Sequence, residues 1–253
     1  MNAAAQRVTA AVLVIGDEIL SGRTQDVNLA AIAKFVAAHG VDLVEARVVG
    51  DTMDAIVGAL NALRGTYDYV FTTGGIGPTH DDITADAVAQ AFGLPLIEDA
   101  EIVAQMEARL GEPANAARRR MARIPEGGSK VANPVSGPPG FQIGNVFVLA
   151  GVPSIMRGML EDIGWRLKGG AVVVSRAIRV EGSGEGTFAA PLEVVAKAHP
   201  DLSLGSYPFF GPAGYGANLV IRGRDPDEVE RTVAELTAAL QESGITQISP
   251  VEA

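Results

Sequence analysis

The stretch Ala10 to Gly16, AAVLVIG, is an unbroken apolar, β-branched run that stops at a glycine followed by two acids. A strand without a polar face has to be covered on both sides, so the chain needs a sheet held between two layers of helix. The residues that follow supply those layers. Asp26 to Ala38 sets Leu29, Ile32, Ala33 and Val36 at helical spacing and stops before Gly40. VDLVEARVV alternates like a second strand, and Thr52 to Leu63 is a second helix with Met53, Ile56, Val57, Leu60 and Leu63 on one side. YDYVFTTGG is a third strand, and Asp82 to Phe92 a third helix closed by Gly93. Strand and helix in alternation predict right-handed crossovers and a mostly parallel sheet.

Further along, Glu98 to Arg123 reads as helical and carries three consecutive arginines, Arg118 to Arg120, which either neutralise phosphate or, for at least one of them, form a solvated helix face. The passage IPEGGSKVANPVSGPPGF is too rich in glycine and proline for regular helix or central strand, and its length suggests a functional loop. GNVFVLAGVPSIM returns to a buried strand ending at Gly151 and enters a helix reaching about Arg166. Beyond Lys168 to Gly170 the pattern changes: a strand (AVVVSRAIRVEG), a helix (GTFAAPLEVVAKAHP), two strands (LSLGSYPFF and ANLVIRGRD) and an amphipathic helix over Pro226 to Glu242. That order predicts a small α+β domain over residues 169–253 behind an α/β domain over residues 1–168.

Composition narrows the function. The chain of 253 residues has no cysteine, which excludes a disulfide framework, a thiolate metal site and a thiol nucleophile and suits the cytoplasm. A formal net charge of −10 argues against a general nucleic-acid or anionic-membrane binder, since both rely on clustered Lys and Arg. The N-terminal apolar run is too short to cross a bilayer.

Open parallel sheets bind ligands beyond the carboxyl ends of their strands. Four strand ends here are decorated: Gly16-Asp17-Glu18, Gly50-Asp51, the stretch from Gly74 to Asp82, and Gly151-Val152-Pro153-Ser154. In Gly74-Gly75-Ile76-Gly77-Pro78-Thr79 the glycines let backbone amides approach phosphate, and the next helix would present its positive end; a glycine-rich turn with no ligand fits the same spacing. Asp81 and Asp82 read as caps of that helix, and Asp51 as a cap of the second, or as carboxylates facing a ligand. Two carboxylates beside an anion call for a divalent cation. Asp17, Glu18, Ser21 and Gly22 either hold a ribose, a pterin or a metal or form an ordinary polar turn. Of the histidines, His39 and His199 read as structural, while His80 lies within the loop. The chain has no Walker A motif, no G-x-S-x-G elbow and no zinc-spaced ligand set.

Taken in order, GDEILSGRTQDVN, VVGD, TTGGIGPTHDDIT and LAGVPSIM resemble the molybdopterin-binding (MoaB/Mog-like) domain family, most closely its CinA (competence/damage-inducible protein A) members. The same domain is fused in eukaryotic FAD synthases. NPVSGPPGF is similar to the Asn-Pro…Pro-Gly segment of CinA proteins, and LSLGSYPFF to the Ser-Tyr-Pro strand of their second, KH-like domain. The resemblance implies a three-layer α/β/α domain followed by a small KH-like one. It implies ligand positions at Asp51, Gly74, Gly75, Gly77 and Asp82, with Asp17 and Glu18 matching the first-strand motif. Ile76, Thr79, Ser21, Asn133 and Pro153 join the expected ligand-binding set, and Asp51 and Asp82 are the expected catalytic and metal-holding pair.

CinA-type domains are associated with metal-dependent cleavage of ADP-ribose-like pyrophosphates, Mog-type relatives adenylylate molybdopterin, and others only bind the pterin. The expectation is therefore a pyrophosphatase acting on ADP-ribose- or FAD-like nucleotides with Mg²⁺, Mn²⁺ or Co²⁺. The alternatives are a non-catalytic molybdopterin- or nucleotide-binding module and a molybdopterin adenylyltransferase. A homo-oligomer is expected as well. With the sequence ending at Ala253, the nicotinamide-nucleotide amidase domain of long CinA proteins is expected to be absent. Glu185-Gly186 stands where the family often shows Glu-Ser.

Overall fold

The computed structural model describes residues 7–212 and 214–251. The chain divides into two compact units, Met1–Gly170 and Ala171–Ala253. In the first, the elements run β1 (Val8–Ile15), α1 (Asp17–Leu20), α2 (Asn28–Ala38), β2 (Val41–Val49), α3 (Met53–Arg64), β3 (Tyr69–Thr73) and α4 (Thr84–Phe92). They continue as β4 (Leu96–Glu98), α5 (Ala100–Leu110), α6 (Ala116–Arg120), β5 (Arg123–Pro125), β6 (Ser129–Val131), β7 (Gly140–Ile143), β8 (Val146–Leu149) and α7 (Pro153–Ile163), and α7 runs out in a 3-10 turn at Gly164–Arg166.

The main sheet has the order β2-β1-β3-β8-β7-β6. β1 pairs parallel with β2 and β3, and β3 with β8, while β7 runs antiparallel to both β8 and β6. The sheet is thus mostly parallel, with β7 alone reversed, because β7 and β8 are joined by a tight hairpin at Gly144, which takes φ 54°. Alternate residues of β1 feed two separate cores. Ala11, Leu13 and Ile15 pack with Ile56, Leu60 and Val88 on one face; Ala10, Val12 and Val14 pack with Ile32, Val36 and Met156 on the other. Each buried Val, Leu, Ile or Met side chain among them contributes about 1.5–3 kcal/mol. Three layers are the direct result of the double-sided run at Ala10 to Gly16.

Local chemistry sets the helix limits, and three sequence expectations change. α4 begins at Thr84 rather than Asp82, with Ile83 at its N-cap and no side-chain cap. The reason is that Asp82 is tied backwards, its Oδ2 accepting from the Thr79 N–H at 2.8 Å and the Thr79 hydroxyl at 2.6 Å. Asp51 is likewise not a helix cap: Thr52 holds the N-cap position of α3 with no side-chain bond. The single helix expected over Glu98 to Arg123 is two, interrupted at Gly111 (φ 73°), with Asp99 capping α5 through the Glu101 and Ile102 amides. The Gly/Pro-rich passage contributes an edge strand, β6, as well as loop.

The second unit comprises β9 (Val174–Glu181), α8 (Glu185–Ala198), β10 (Ser203–Gly211), β11 (Gly214–Gly223), α9 (Pro226–Glu242) and β12 (Ile248–Val251). Its four strands form an antiparallel sheet of order β10-β11-β9-β12. Ile178, Val180, Leu219 and Ile221 on that sheet bury Phe188 and Val195 of α8 and Leu236 and Leu240 of α9. The short strand β12 has no counterpart in the sequence reading. No helix among the described residues is long and apolar enough to cross a membrane.

Candidate functional site

Because β1, β2, β3 and β8 are parallel, their carboxyl ends meet on one rim, and the loops that leave them are laced together. The Gly16 N–H donates to the Val49 carbonyl at 3.0 Å, and the Gly74 N–H to the Leu149 carbonyl at 3.2 Å. Asn28 Nδ2 donates to the Gly151 carbonyl at 2.7 Å. The Asp17 N–H donates to Asp51 Oδ2 at 2.8 Å, so the first-strand and second-strand acids are joined.

Gly74 and Gly75 take φ 101° and 65°, left-handed values that favour glycine. They also stand where no side chain fits: a Cβ on Gly74 would lie 3.2 Å from the Ile15 carbonyl carbon, and one on Gly75 would lie 3.3 Å from the Thr84 Cβ. The buried Thr84 fixes the loop from the far side, its hydroxyl donating to the Gly74 carbonyl at 2.9 Å and its N–H to the Gly75 carbonyl at 3.0 Å. Ile76 packs against both cores and anchors the loop. At Gly77 the neighbour is Asp82, whose Oδ2 would stand 2.6 Å from a Cβ.

Two groups of charges flank the loop. On the β1 and β2 side, burial pushes the Asp51 carboxyl above the ordinary carboxylate range; the Asp17 N–H opposes this, and the charges of Asp17, Glu18 and Asp81 add to it. On the other side a cleft is lined by Gly75, Gly77, Asp82, Arg120, Met121 and Arg123. Arg123 is held by a two-pronged ion pair with Asp86, at 3.1 and 2.8 Å. Arg118 is paired with Glu112 at 2.7 Å and Arg119 with Glu98, whereas Arg120 reaches the Asp82 carbonyl at 3.3 Å and leaves its buried Nε without a partner. Asn28 Oδ1 and Thr73 Oγ1 are buried at the rim and likewise unpartnered.

The structure therefore brings together Asp17, Glu18, Asp51, Gly74, Gly75, Ile76, Gly77, Thr79, Asp82 and Pro153, the last opening α7 from the β8 end. Asp51 and Asp82 are each fixed by their own turn, Asp51 Oδ2 accepting from the Asp17 N–H and Asp82 Oδ2 from the Thr79 N–H and hydroxyl. The neighbouring acid that acts on Asp51 from the glycine loop is Asp81. Ser21 turns onto its own loop, its hydroxyl donating to the Glu18 carbonyl at 3.3 Å. Asn133 spends its amide on its own segment: Nδ2 donates to Ser136 Oγ and the Pro138 carbonyl, and Oδ1 accepts from the Val135 and Ser136 amides. It shapes the loop instead of presenting a group to a ligand. His39 Nδ1 donates to the Phe35 carbonyl at 2.8 Å at the end of α2, and the His80 side chain is almost fully exposed. Among the described residues no group of three or more His, Asp or Glu side chains could hold a metal ion. Asn28, Met121 and Arg123 were not predicted as ligand positions, while of the three arginines read as able to neutralise phosphate it is Arg120 that lines the cleft. Asn28 does stand in the first-strand motif, and Arg120 in the arginine triplet, where consecutive residues point about 100° apart.

Residues 11–168 match the family model described as "Probable molybdopterin binding domain", which spans the whole rim. The chain belongs to the molybdopterin-binding domain family. Residues 172–248 match a second model, "FAD synthase, middle domain". Within the family, the chain is 33% identical over 246 residues to a CinA-like protein of Gemmatimonas aurantiaca, covering 91% of this chain and 57% of that protein. It is 31% identical over 231 residues to a protein of Archaeoglobus fulgidus, covering 91% and 97% of the two chains. The chain thus spans little more than half of the first relative's length and nearly all of the second's. Its fold matches the crystal structure of CinA, a protein of unknown function from Thermoplasma acidophilum, at 33% identity and a TM-score of 0.60, over 63% of this chain and 98% of that one. This CinA-like molybdopterin-binding domain has its glycine loop and its acids on one rim.

Proposed function

We propose that this CinA-like protein binds a phosphate-bearing nucleotide or pterin at the Gly74–Thr79 loop and hydrolyses the pyrophosphate link of ADP-ribose- or FAD-like nucleotides with the help of a divalent cation. The observation that carries the reading is the strand-end rim itself. A left-handed glycine pair is fixed by Ile15, Leu149 and Thr84, with carboxylates on one side and on the other the Arg120 guanidinium, which has no carboxylate partner and an unbonded buried Nε. Backbone amides of such a loop suit phosphate oxygens, and Asn28 Oδ1 and Thr73 Oγ1 are buried groups that a polar ligand would satisfy. The match to a FAD synthase middle domain supports a nucleotide ligand.

The donors fit a hard cation. Asp51 is carboxylate oxygen crowded by other acids, an arrangement that a positive ion relieves. Magnesium is commonly held by one or two carboxylates together with substrate phosphate. Asp51 and the Asp82 oxygen not engaged by Thr79 would hold it; when bound it neutralises charge on the phosphate oxygens. The chain's own groups do the rest. The loop amides orient the phosphate, and Thr79 fixes the Asp82 carboxylate. A second reading, binding without turnover or adenylyl transfer to the pterin, draws support from the match of residues 11–168 to the model described as "Probable molybdopterin binding domain".

One screen separates these readings. The protein is incubated with ADP-ribose or FAD and Mg²⁺, Mn²⁺ or Co²⁺, alongside Asp51→Asn, Asp81→Asn and Asp82→Asn. Metal-dependent release of AMP, lost in the Asp51 and Asp82 variants and kept in the Asp81 variant, is expected. Intact substrates with every metal would refute hydrolysis. Tight binding of the pterin, or ATP-dependent transfer of AMP to it, would then establish the corresponding alternative.

A further inference from the structure

Behind the glycine-loop cleft lies a second cavity of about 260 Å³, bounded by the C-terminal turn of α5, by α6 and by the Asn133–Pro139 loop. Its walls include Met106, Leu110, Met121 and Pro138, with Arg109 and Arg118 at the sides. Met121 lines both spaces, so the two cavities share a wall.

The second cavity is preformed. The four hydrogen bonds of Asn133 set the loop that closes it, and Arg109 Nη2 donates to the Val135 carbonyl at 2.7 Å. Gly137 takes φ 102°, and a Cβ there would stand 3.2 Å from Arg109 Cδ, so the loop can lie this close to α5 only with glycine at that point. The chemistry differs from that of the first cleft. Arg118 is neutralised by Glu112 at 2.7 Å, Arg109 is tied to the Val135 carbonyl, and thioether, leucine and proline surface makes up most of the rest, beside Ser136 and Gly137. Flat guanidinium faces and polarisable sulfur favour a planar aromatic ring. A complete small-molecule site typically encloses about 300–1,000 Å³, and this cavity falls just short, which suits one part of a ligand.

We infer that this cavity is the subsite for the fused heteroaromatic ring of the ligand whose phosphate sits at Gly75 and Gly77. The inference rests on the phosphate reading of the glycine loop proposed above. The ligand passes Met121, with its anionic end beside the loop and Arg120 and its ring between Met106, Leu110 and Pro138. Purine and pterin share the planar bicycle that such walls accept.

The test fills the cavity and leaves the loop alone. Leu110 is 43% exposed, so Leu110→Trp can be accommodated without disturbing the core while its indole occupies the ring space. Calorimetry on the whole chain in the presence of Mg²⁺ compares inorganic pyrophosphate, ADP and dihydroneopterin triphosphate. In the parent protein at least one ring-bearing probe is expected to bind roughly tenfold or more tightly than pyrophosphate. In Leu110→Trp that gain is lost, while pyrophosphate affinity stays within about twofold. Which probe shows the gain distinguishes purine from pterin. The inference is overturned if neither ring-bearing probe outbinds pyrophosphate, if Leu110→Trp leaves the gain intact, or if pyrophosphate binding falls by the same factor. Failure of the parent protein to bind pyrophosphate would instead sink the reading of the glycine loop, and the ring subsite with it.

Discussion

Replacing Gly74 by alanine tests whether the glycine loop is first of all a packing requirement. At φ 101° a non-glycine residue is strained, at a cost of about 1–3 kcal/mol. The added Cβ would stand 3.2 Å from the carbonyl carbon of Ile15 and closer still to its oxygen. That obstacle is the backbone of β1, an interior strand of the sheet with no rotamer to move, so overpacking adds about 1–3 kcal/mol. The sum, about 2–6 kcal/mol, is a large part of the ~5–15 kcal/mol that holds a typical domain together. Gly77→Ala is the contrast. Its obstacle is the Asp82 carboxylate, at 2.6 Å, which can swing aside, so the expected loss of stability is below about 1 kcal/mol while the Asp82 tie to Thr79 is displaced. Because the chain has two units, a single unfolding midpoint would mix them. Hydrogen exchange of peptides from β1 and β3 across a urea series isolates the relevant sheet. A loss under about 1 kcal/mol for Gly74→Ala, or equal losses for both variants, would refute this reasoning.

Three further outcomes follow from the charges and the loop. Burial raises the folded Asp51 carboxyl above its unfolded value, so its charge opposes folding at neutral pH and the opposition fades as pH falls toward about 4. Amides of β1 and β2 in Asp51→Asn should therefore exchange more slowly than in the parent near neutral pH and lose that advantage in acid; a constant difference in protection across the range would contradict the assignment. In the second unit the hydrogen bond that His199 Nε2 donates to the Glu235 carboxylate raises the imidazole pKa, with burial opposing and Glu228 assisting. Its stabilisation is complete below about pH 6.5 and is lost as pH rises through the raised folded value, so His199→Gln should weaken protection of α8 and α9 in acid and match the parent at high pH. Asn133→Ala leaves the Val135 and Ser136 amides and the Pro138 carbonyl unpaired, at about 1–3 kcal/mol. Faster exchange over residues 134–138 is expected, and unchanged exchange there would show that the asparagine does not hold the loop.

The layers of the first unit were legible because their signal is dense: β1, α2 and α3 each carry several apolar residues at one period, and the structure places their ends within a few residues of that pattern. α4 was misjudged at its start because adjacent acids before an apolar run look like a helix cap. Their actual partners, Thr79 for Asp82 and the Asp17 amide for Asp51, are set by turns and by a neighbouring strand. The short strands β6 and β12 lie at sheet edges, carry too few residues for any periodicity, and gain definition only from β7 and β9. At the site, the glycines and acids were visible as types. Which arginine of three faces the cleft was not, since Glu112 and Glu98 claim the other two through contacts that spacing alone does not encode. Asn133 stands out in its motif, yet its role depends on a fold of five residues back onto its own amide.

The hydrogen bond from Gly74 to Leu149 also says something about how the protein is made. A ribosome releases the glycine loop long before it releases β8, and until that strand arrives β3 has an open edge and the loop no fixed floor. Long-range pairings of this kind form late and slowly. A nascent chain halted before Leu149 should therefore hold the first three strands and their helices without a competent loop, so that ligand affinity is acquired in one step, when the eighth strand slides in beside the third.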